Sequence, residues 1–307
     1  MISIIQLGTV DYATGLRLQQ QLVALRKEEK IGDVLLLLEH TPVITLGRNA
    51  KAANVIASPE LLSKRGVELF ECDRGGDVTF HGPGQLVGYP IFDLRGFSRG
   101  EDGSRSANSN PLSSRAQEND SRQANRSLES RDMLFAGPTV HADRENHREG
   151  HDFSRAAHDL GKEAALAAGV APRKHLGVID YVRRLEEVLI RTCADFSIPT
   201  KRIPGLTGVW TETESKLAAI GVHISRFVTS HGFALNVNPD LSYFNLIIPC
   251  GITAKPVTSM QKELGRPLDV NAVAESISRN FGVVFQSQIL WLDSLDVLLS
   301  ASVGPGL

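Results

Sequence analysis

The chain is poor in cysteine: Cys72, Cys193 and Cys250 are all that 307 residues contain, with neither CxxC spacing nor the density of a secreted disulfide framework. A reducing compartment follows, and each thiol has to be judged on its own surroundings. Excess charge of either sign is also missing. With 33 Lys+Arg against 35 Asp+Glu, the net charge of -2 gives no global attraction to nucleic acid or to an anionic membrane. No stretch reaches the ~20 apolar residues of a membrane span. The opening Met1-Ile-Ser-Ile-Ile-Gln-Leu-Gly8 lacks the basic and long apolar regions of a signal peptide. A cytoplasmic protein is expected, without nucleic-acid or membrane partners. Nucleotide signatures are missing too. The Gly-x4-Gly-Lys-Ser/Thr pattern does not occur, and Gly82-Pro-Gly84 runs into Gln85-Leu86-Val87 without a third glycine at the Rossmann spacing.

What is present is a mixed α+β pattern, with 42% hydrophobic and 22% charged residues, enough for one large domain or two small ones. Ile2 to Leu7 reads as a strand. Tyr12, Leu16, Leu22, Val23 and Leu25 recur at roughly helical spacing, and Asp33 to Glu39 is too short and continuous for anything but a buried strand. Pro42 to Gly47 reads as another strand, Pro59 to Gly66 as a short helix closed by glycine, and Val67 to Cys72 as a strand. Val178, Tyr181, Val182, Leu185, Val188, Leu189 and Cys193 trace an apolar stripe on a helix. Two strands, one from Lys216 through Ile224 and one over Arg226 to Val237, form a hairpin around Ser225-Arg226. A late helix over Asp269 to Phe285 carries Val273, Ile277 and Phe281 on one face. The residues from Ser300 to Leu307 are expected to fray.

Composition changes abruptly after Leu94. Ser104 to Ser130 holds eight serines and not one aromatic or β-branched residue, so it cannot bury enough apolar area to offset its ordering entropy. The reading is one catalytic domain over 1–307, interrupted by a polar, disordered insertion at about 98–175 with a short helix around His158 to Ala168. His141, His147 and His151 lie in it among acidic residues, but their spacing matches no zinc pattern and a solvated linker explains them as well, so no metal site is assigned.

The segments at Lys216, at His231-Gly232-Phe233 and at Ile247-Ile248-Pro249-Cys250-Gly251 each combine small residues with one reactive group, and a glycine-flanked strand before them offers polar ends at Arg74 and His81. Arg74-Gly75-Gly76-Asp77-Val78-Thr79-Phe80-His81 sets glycines beside a short strand, letting backbone approach a ligand closely. Lys216 opens an apolar strand through Ala218, Ala219 and Ile220. Ile248-Pro249-Cys250-Gly251 ends an apolar run in a thiol. Each has a plainer reading as well: a tight turn, a solvated strand end and a cysteine packed as a small hydrophobe. A thiol attacks as its thiolate, which a neighbouring ammonium favours.

Together with His231-Gly232-Phe233-Ala234-Leu235-Asn236-Val237, these motifs resemble the lipoyl(octanoyl) transferases over residues 1 to about 95 and about 176 to 290. The resemblance implies the mixed sheet and flanking helices shared with biotin- and lipoate-protein ligases. It implies transfer of an octanoyl or lipoyl group from acyl carrier protein to a lysine of a lipoyl domain, in 2-oxoacid dehydrogenases or the glycine-cleavage H protein. Cys250 would carry the acyl thioester and Lys216 would tune the thiol and shuttle protons. Arg74 to His81, Ala218 to Ile220 and His231 to Phe233 would hold the substrate. A thioester donor is already activated, so no cofactor is expected. An ATP-dependent lipoate or biotin ligase, or a non-catalytic acyl-binding homologue, are the competing readings.

Overall fold

The computed structural model of the chain describes residues 1–97, 175–249 and 255–302. The chain divides into two units, Met1–Arg99 with Lys174–Leu307, and Gly100–Arg173. The expected insertion at 98–175, its short helix and its histidines lie outside the described residues, apart from the boundary residue His175.

An eight-stranded sheet forms the centre of the described unit. Its strands are β1 (Ile2–Val10), β2 (Asp33–His40), β6 (Gln85–Ile91), β7 (Thr200–Ile203), β8 (Leu206–Thr211), β9 (Lys216–Ser225), β10 (Val228–Asn236) and β11 (Ile289–Trp291). The order is β11-β1-β2-β6-β10-β9-β8-β7, parallel across β11-β1-β2 and antiparallel beyond. A second sheet of three strands has the order β4-β3-β5, from β3 (Val43–Leu46), β4 (Glu68–Glu71) and β5 (Val78–His81).

The continuous apolar run of β2 is explained by burial of both sheet faces. Leu35 and Leu37 face a core built with α3 (Val178–Asp195) and α5 (Val270–Phe285), while Val34, Leu36 and Leu38 face α1 (Tyr12–Lys27). Val273, Ile277 and Phe281 of α5 are fully buried in the first core, as the helical spacing predicts. Burying each contributes about 1.5–3 kcal/mol, and Phe281→Ala would remove about 3–5 kcal/mol. Helix starts follow from caps: Asp11 accepts from Thr14 N at 2.8 Å, and Asp269 from Asn271 N at 2.9 Å. At α2 (Pro59–Lys64), Ser58 caps the helix ahead of Pro59, and the chain leaves through Gly66 at φ +62°.

The β9–β10 hairpin turns through Arg226 and Phe227, at φ 50° and 68°. These values define a two-residue turn whose twist suits the hairpin, although neither residue is glycine or asparagine. Tertiary contacts offset the strain: Phe227 meets the His175 ring at 4.8 Å, and its carbonyl accepts from Leu94 N at 3.0 Å. The second strand therefore starts at Val228 rather than Arg226.

Three further differences from the sequence expectation have physical reasons. Val178 is exposed, because α3 begins there before its stripe reaches the core. A last helix, α6 (Leu295–Ser302), carries order past Ser300, seated through buried Leu298. Strands β7 and β8 escape the alternation rule because they mix Lys201, Arg202 and Gly208 with apolar residues. A short helix, α4 (Met260–Leu264), completes the elements. Among the described residues, no helix is long and apolar enough to cross a membrane.

Candidate active site

Between the two sheets lies a cavity of about 400 Å³, within the range of small-molecule sites. One wall is the loop Arg74–Asp77 with Thr79 and His81 of β5, and the other is β9 and β10. The walls meet backbone to backbone. Gly75 N donates to Val222 O at 3.0 Å, and a Cβ on Gly221 would stand 2.7 Å from Gly75 O, so only glycine permits this approach. Arg74 is buried and braces the loop from below, donating to Thr45 Oγ1 from Nε and Nη2 and to Thr45 O at 2.7 Å.

The imidazoles in and behind this wall are held neutral by burial and by fixed hydrogen bonds. Gln85 Nε2 donates to Asn236 Oδ1 at 2.8 Å and to Phe80 O at 3.2 Å, which leaves Gln85 Oε1 to accept from His81 Nδ1 at 2.7 Å. His81 therefore keeps a lone pair on Nε2. Burial first, then the charges of His40 and Arg74, push its pKa down to about 3. His40 donates from Nδ1 to Val10 O at 2.8 Å and accepts from the Tyr89 hydroxyl at 2.6 Å; burial pushes its pKa to about 4. His231, in the left-handed region at φ 56°, hydrogen-bonds Asp73 Oδ1 through Nε2 at 2.7 Å, and its main-chain N donates to Gln19 Oε1 at 2.7 Å. Burial lowers its pKa even against that carboxylate. The other oxygen of Asp73 bonds His223 Nδ1, so one side chain ties the glycine loop to the β9–β10 hairpin. Burial would raise the Asp73 carboxyl, but the hydrogen bonds from His231 and His223 hold it below its ordinary value.

Lys216 lies on the same cavity, 8% exposed, with Nζ 5.2 Å from the centre of the Trp210 ring. Its main chain grips the segment that follows Cys250: Lys216 N donates to Pro256 O at 2.7 Å, and Thr258 N donates to Lys216 O at 3.0 Å. The segment preceding Cys250 is held from the other side, where Ile248 N donates to Asn54 O at 2.7 Å and Ile247 bridges Val55. Asp77 stiffens that clamp, accepting from Asn54 Nδ2 at 2.6 Å and from Lys51 N at 3.2 Å. Lys216 and Pro249 line one small hollow, with Thr79, Gln85 and Val257. Cys250 and Gly251 themselves lie outside the described residues.

The residues read from the sequence are thus mostly brought together. Arg74, Gly75, Gly76, Asp77, Thr79, His81, Lys216, Ala219, Ile220, His231, Gly232 and Phe233 all line the cavity. Three do not. The pleat turns Val78 and Phe80 to the opposite face, where Phe80 stacks on Tyr243 at 4.8 Å, and Ala218 points into the main core. The sequence reading missed Tyr12, Asn49 and Tyr89, and Gly205, Leu206 and Thr207 at the turn into β8, which also line the cavity. Pro204-Gly205 was the signal for that turn, since proline followed by glycine favours a tight reversal.

Solved structures of low identity share this architecture. A putative lipoate protein ligase of T. acidophilum, Ta0514, superposes with TM-score 0.57 at 10% identity, covering 98% of this chain and 92% of that one. A lipoate-protein ligase A bound with ATP gives 0.55 at 11%, covering 96% and 89%. The fold is therefore that of the lipoate-protein ligases. The family described as the lipoyl protein ligase A/B catalytic domain matches residues 11–137 and 158–282, and the chain belongs to it. Curated relatives include an octanoyltransferase of Koribacter versatilis, 50% identical over 301 residues and covering 97% of this chain and 90% of its own. Another, from Acidobacterium capsulatum, is 44% identical over 306 residues, covering 97% and 96%. The chain is an acyltransferase of this family.

Proposed function

We propose that the chain moves an octanoyl or lipoyl group from an acyl carrier protein to a lysine of a lipoyl domain, through a thioester on Cys250. The Cys250 thiolate attacks the carbonyl of the carrier thioester, the bond to the carrier sulfur breaks, and that sulfur leaves as a thiol by taking a proton from the Lys216 ammonium. The target lysine amine then attacks the acyl-Cys250 carbonyl. The C–S bond breaks, an amide forms, and the now neutral Lys216 amine takes the proton released by the attacking amine, restoring the ammonium and the Cys250 thiolate. The observation that carries this reading is the double clamp: the flanks of Cys250 are tied to Asn54 on one side and to the Lys216 main chain on the other, with Pro249 and Lys216 in one hollow. A thiol carried between those flanks and near the Lys216 ammonium would be favoured as its thiolate. The small residues Ala219, Gly221 and Ala234 on the cavity wall leave room for a medium acyl chain.

Relatives up to 50% identical carry the name octanoyltransferase, which supports transfer from an activated donor over ligation. The test is to combine the chain with octanoyl-loaded carrier protein and a lipoyl domain without nucleotide. Amide formation is expected. A strict need for ATP and magnesium would replace this reading with a ligase. The domain reading belongs to the same proposal: one catalytic domain, its core being 1–97 and 176–307, so replacing 98–173 by a short Gly/Ser linker should leave transfer nearly unchanged.

A further inference from the structure

Glu186 is fully buried on the core side of α3, where a helix of this pattern would be expected to place an apolar residue. Removing a carboxylate from water is costly unless good partners surround it. Its partners are specific. Oε2 accepts from Arg183 Nη1 at 2.6 Å and from Arg202 Nε at 3.0 Å, and Oε1 accepts from the main-chain N of Gly208 at 3.1 Å. Helix and hairpin are already joined nearer the surface, by Arg202 Nη2 to Glu187 Oε2 at 2.7 Å. The bond to Gly208 is therefore what the buried carboxylate adds.

Gly208 stands at φ +130°, a conformation side chains rarely adopt. A Cβ there would lie 2.6 Å from Ala218 O and 3.0 Å from Lys216 Cε. The lysine side chain thus runs against the bare Cα of Gly208. Trp210, whose ring takes the ammonium, is two residues further along β8. Gly205 of the turn into β8, with Leu206 and Thr207 at the start of that strand, lines the cavity just before Gly208. Carboxylate, Gly208 and the lysine stem form one stack, from the interior of α3 to the reactive end of the cavity.

We propose that Glu186 is a positioning residue for Lys216: its carboxylate fixes the Gly208 main chain that forms the channel in which the lysine lies. This rests on the reading that Lys216 tunes Cys250. The side chain at position 186 has to do two things at once, reach Gly208 and accept its N–H. Leu fails on acceptance, Asp on reach, and Gln satisfies both.

The test follows alkylation of Cys250 by iodoacetamide across pH, resolved to the Cys250 peptide by mass spectrometry, beside melting temperatures. Glu186→Leu and Glu186→Asp should slow alkylation at neutral pH roughly tenfold, within what ångström-scale misplacement causes, with recovery at higher pH. Glu186→Gln should stay within about threefold of wild type, because its amide oxygen still accepts from Gly208. A Glu186→Asp/Lys216→Met double variant should react no more slowly than Lys216→Met alone, as coupled residues do. Glu186→Asp serves if Glu186→Leu does not fold, since it keeps the charge opposite Arg183 and Arg202. The inference is overturned if melting temperature falls while the pH profile stays put, if Glu186→Gln is as slow as Glu186→Asp, or if the double variant shows the product of the single losses. Should Lys216→Met itself leave the profile unchanged, it is the reading of Lys216 that fails.

Discussion

Two regions of the cavity wall handle polar groups in opposite ways. On the histidine side, His40, His81 and His231 each spend a ring nitrogen on a fixed partner and are held neutral by burial, with Tyr89 and Gln85 completing the bonds. On the lysine side, an ammonium lies over the Trp210 ring, and a buried carboxylate sits one strand away, on Gly208. The difference divides the labour. Neutral, satisfied imidazoles reduce the charge an apolar chain meets, the Arg74 guanidinium and Asp77 carboxylate being tied to Thr45 and Asn54, while the Lys216 ammonium lies where its own main chain holds the segment that follows Cys250.

The largest effect expected from breaking this division is at Lys216. Lys216→Met removes the charge and leaves the histidine side intact, so transfer should fall by roughly 10²–10⁴, the usual worth of a proton-transfer group, with the melting temperature little changed. Steady-state kinetics of octanoyl transfer measures it. The histidine side should instead announce itself in stability. His40 and His81 have folded-state pKa values of about 4 and 3, against 6.5 for a free imidazole. The unfolded chain therefore binds protons that the folded one refuses. Stability should be undiminished by these groups above pH 6.5 and should drop as pH falls from 6.5 towards 4. Urea midpoints at pH 7.5 and pH 5 check the sign; equal midpoints would mean the rings are not held neutral. The smallest change comes from Tyr89→Phe, which strands the buried Nε2 of His40 and should cost about 1–3 kcal/mol, with kcat for transfer nearly unchanged.

Much of this arrangement is legible in the residues themselves. Helices α1, α3 and α5 and the β9–β10 hairpin follow from periodicity, because their apolar faces are long enough to show it, and β2 follows from its short continuous apolar run. The glycine loop and Lys216 were legible through the family resemblance, since taken alone they read as a tight turn and a solvated strand end. What stayed hidden depends on contacts between distant positions. Nothing around Glu186 in the sequence tells that its carboxylate is buried against Gly208, since Arg183, Glu187 and Arg191 make the same helix turn look like a solvated face. Asp73 and His223 are 150 positions apart and meet only because two sheets converge. The assignment of Val78, Phe80 and Ala218 to the substrate slot came from taking motifs as unbroken runs, whereas a strand shows a cavity only alternate side chains.

The central claim is that the acyl group rests on Cys250 between donor and acceptor. Intact-mass measurement after mixing the chain with octanoyl-loaded carrier protein, in the absence of a lipoyl domain, tests it most directly. The account predicts one octanoyl adduct on wild type, removed by hydroxylamine, absent in Cys250→Ala and present in Cys72→Ser. Octanoylation of a lipoyl domain by Cys250→Ala at a rate near wild type, with no adduct on either protein, would contradict it.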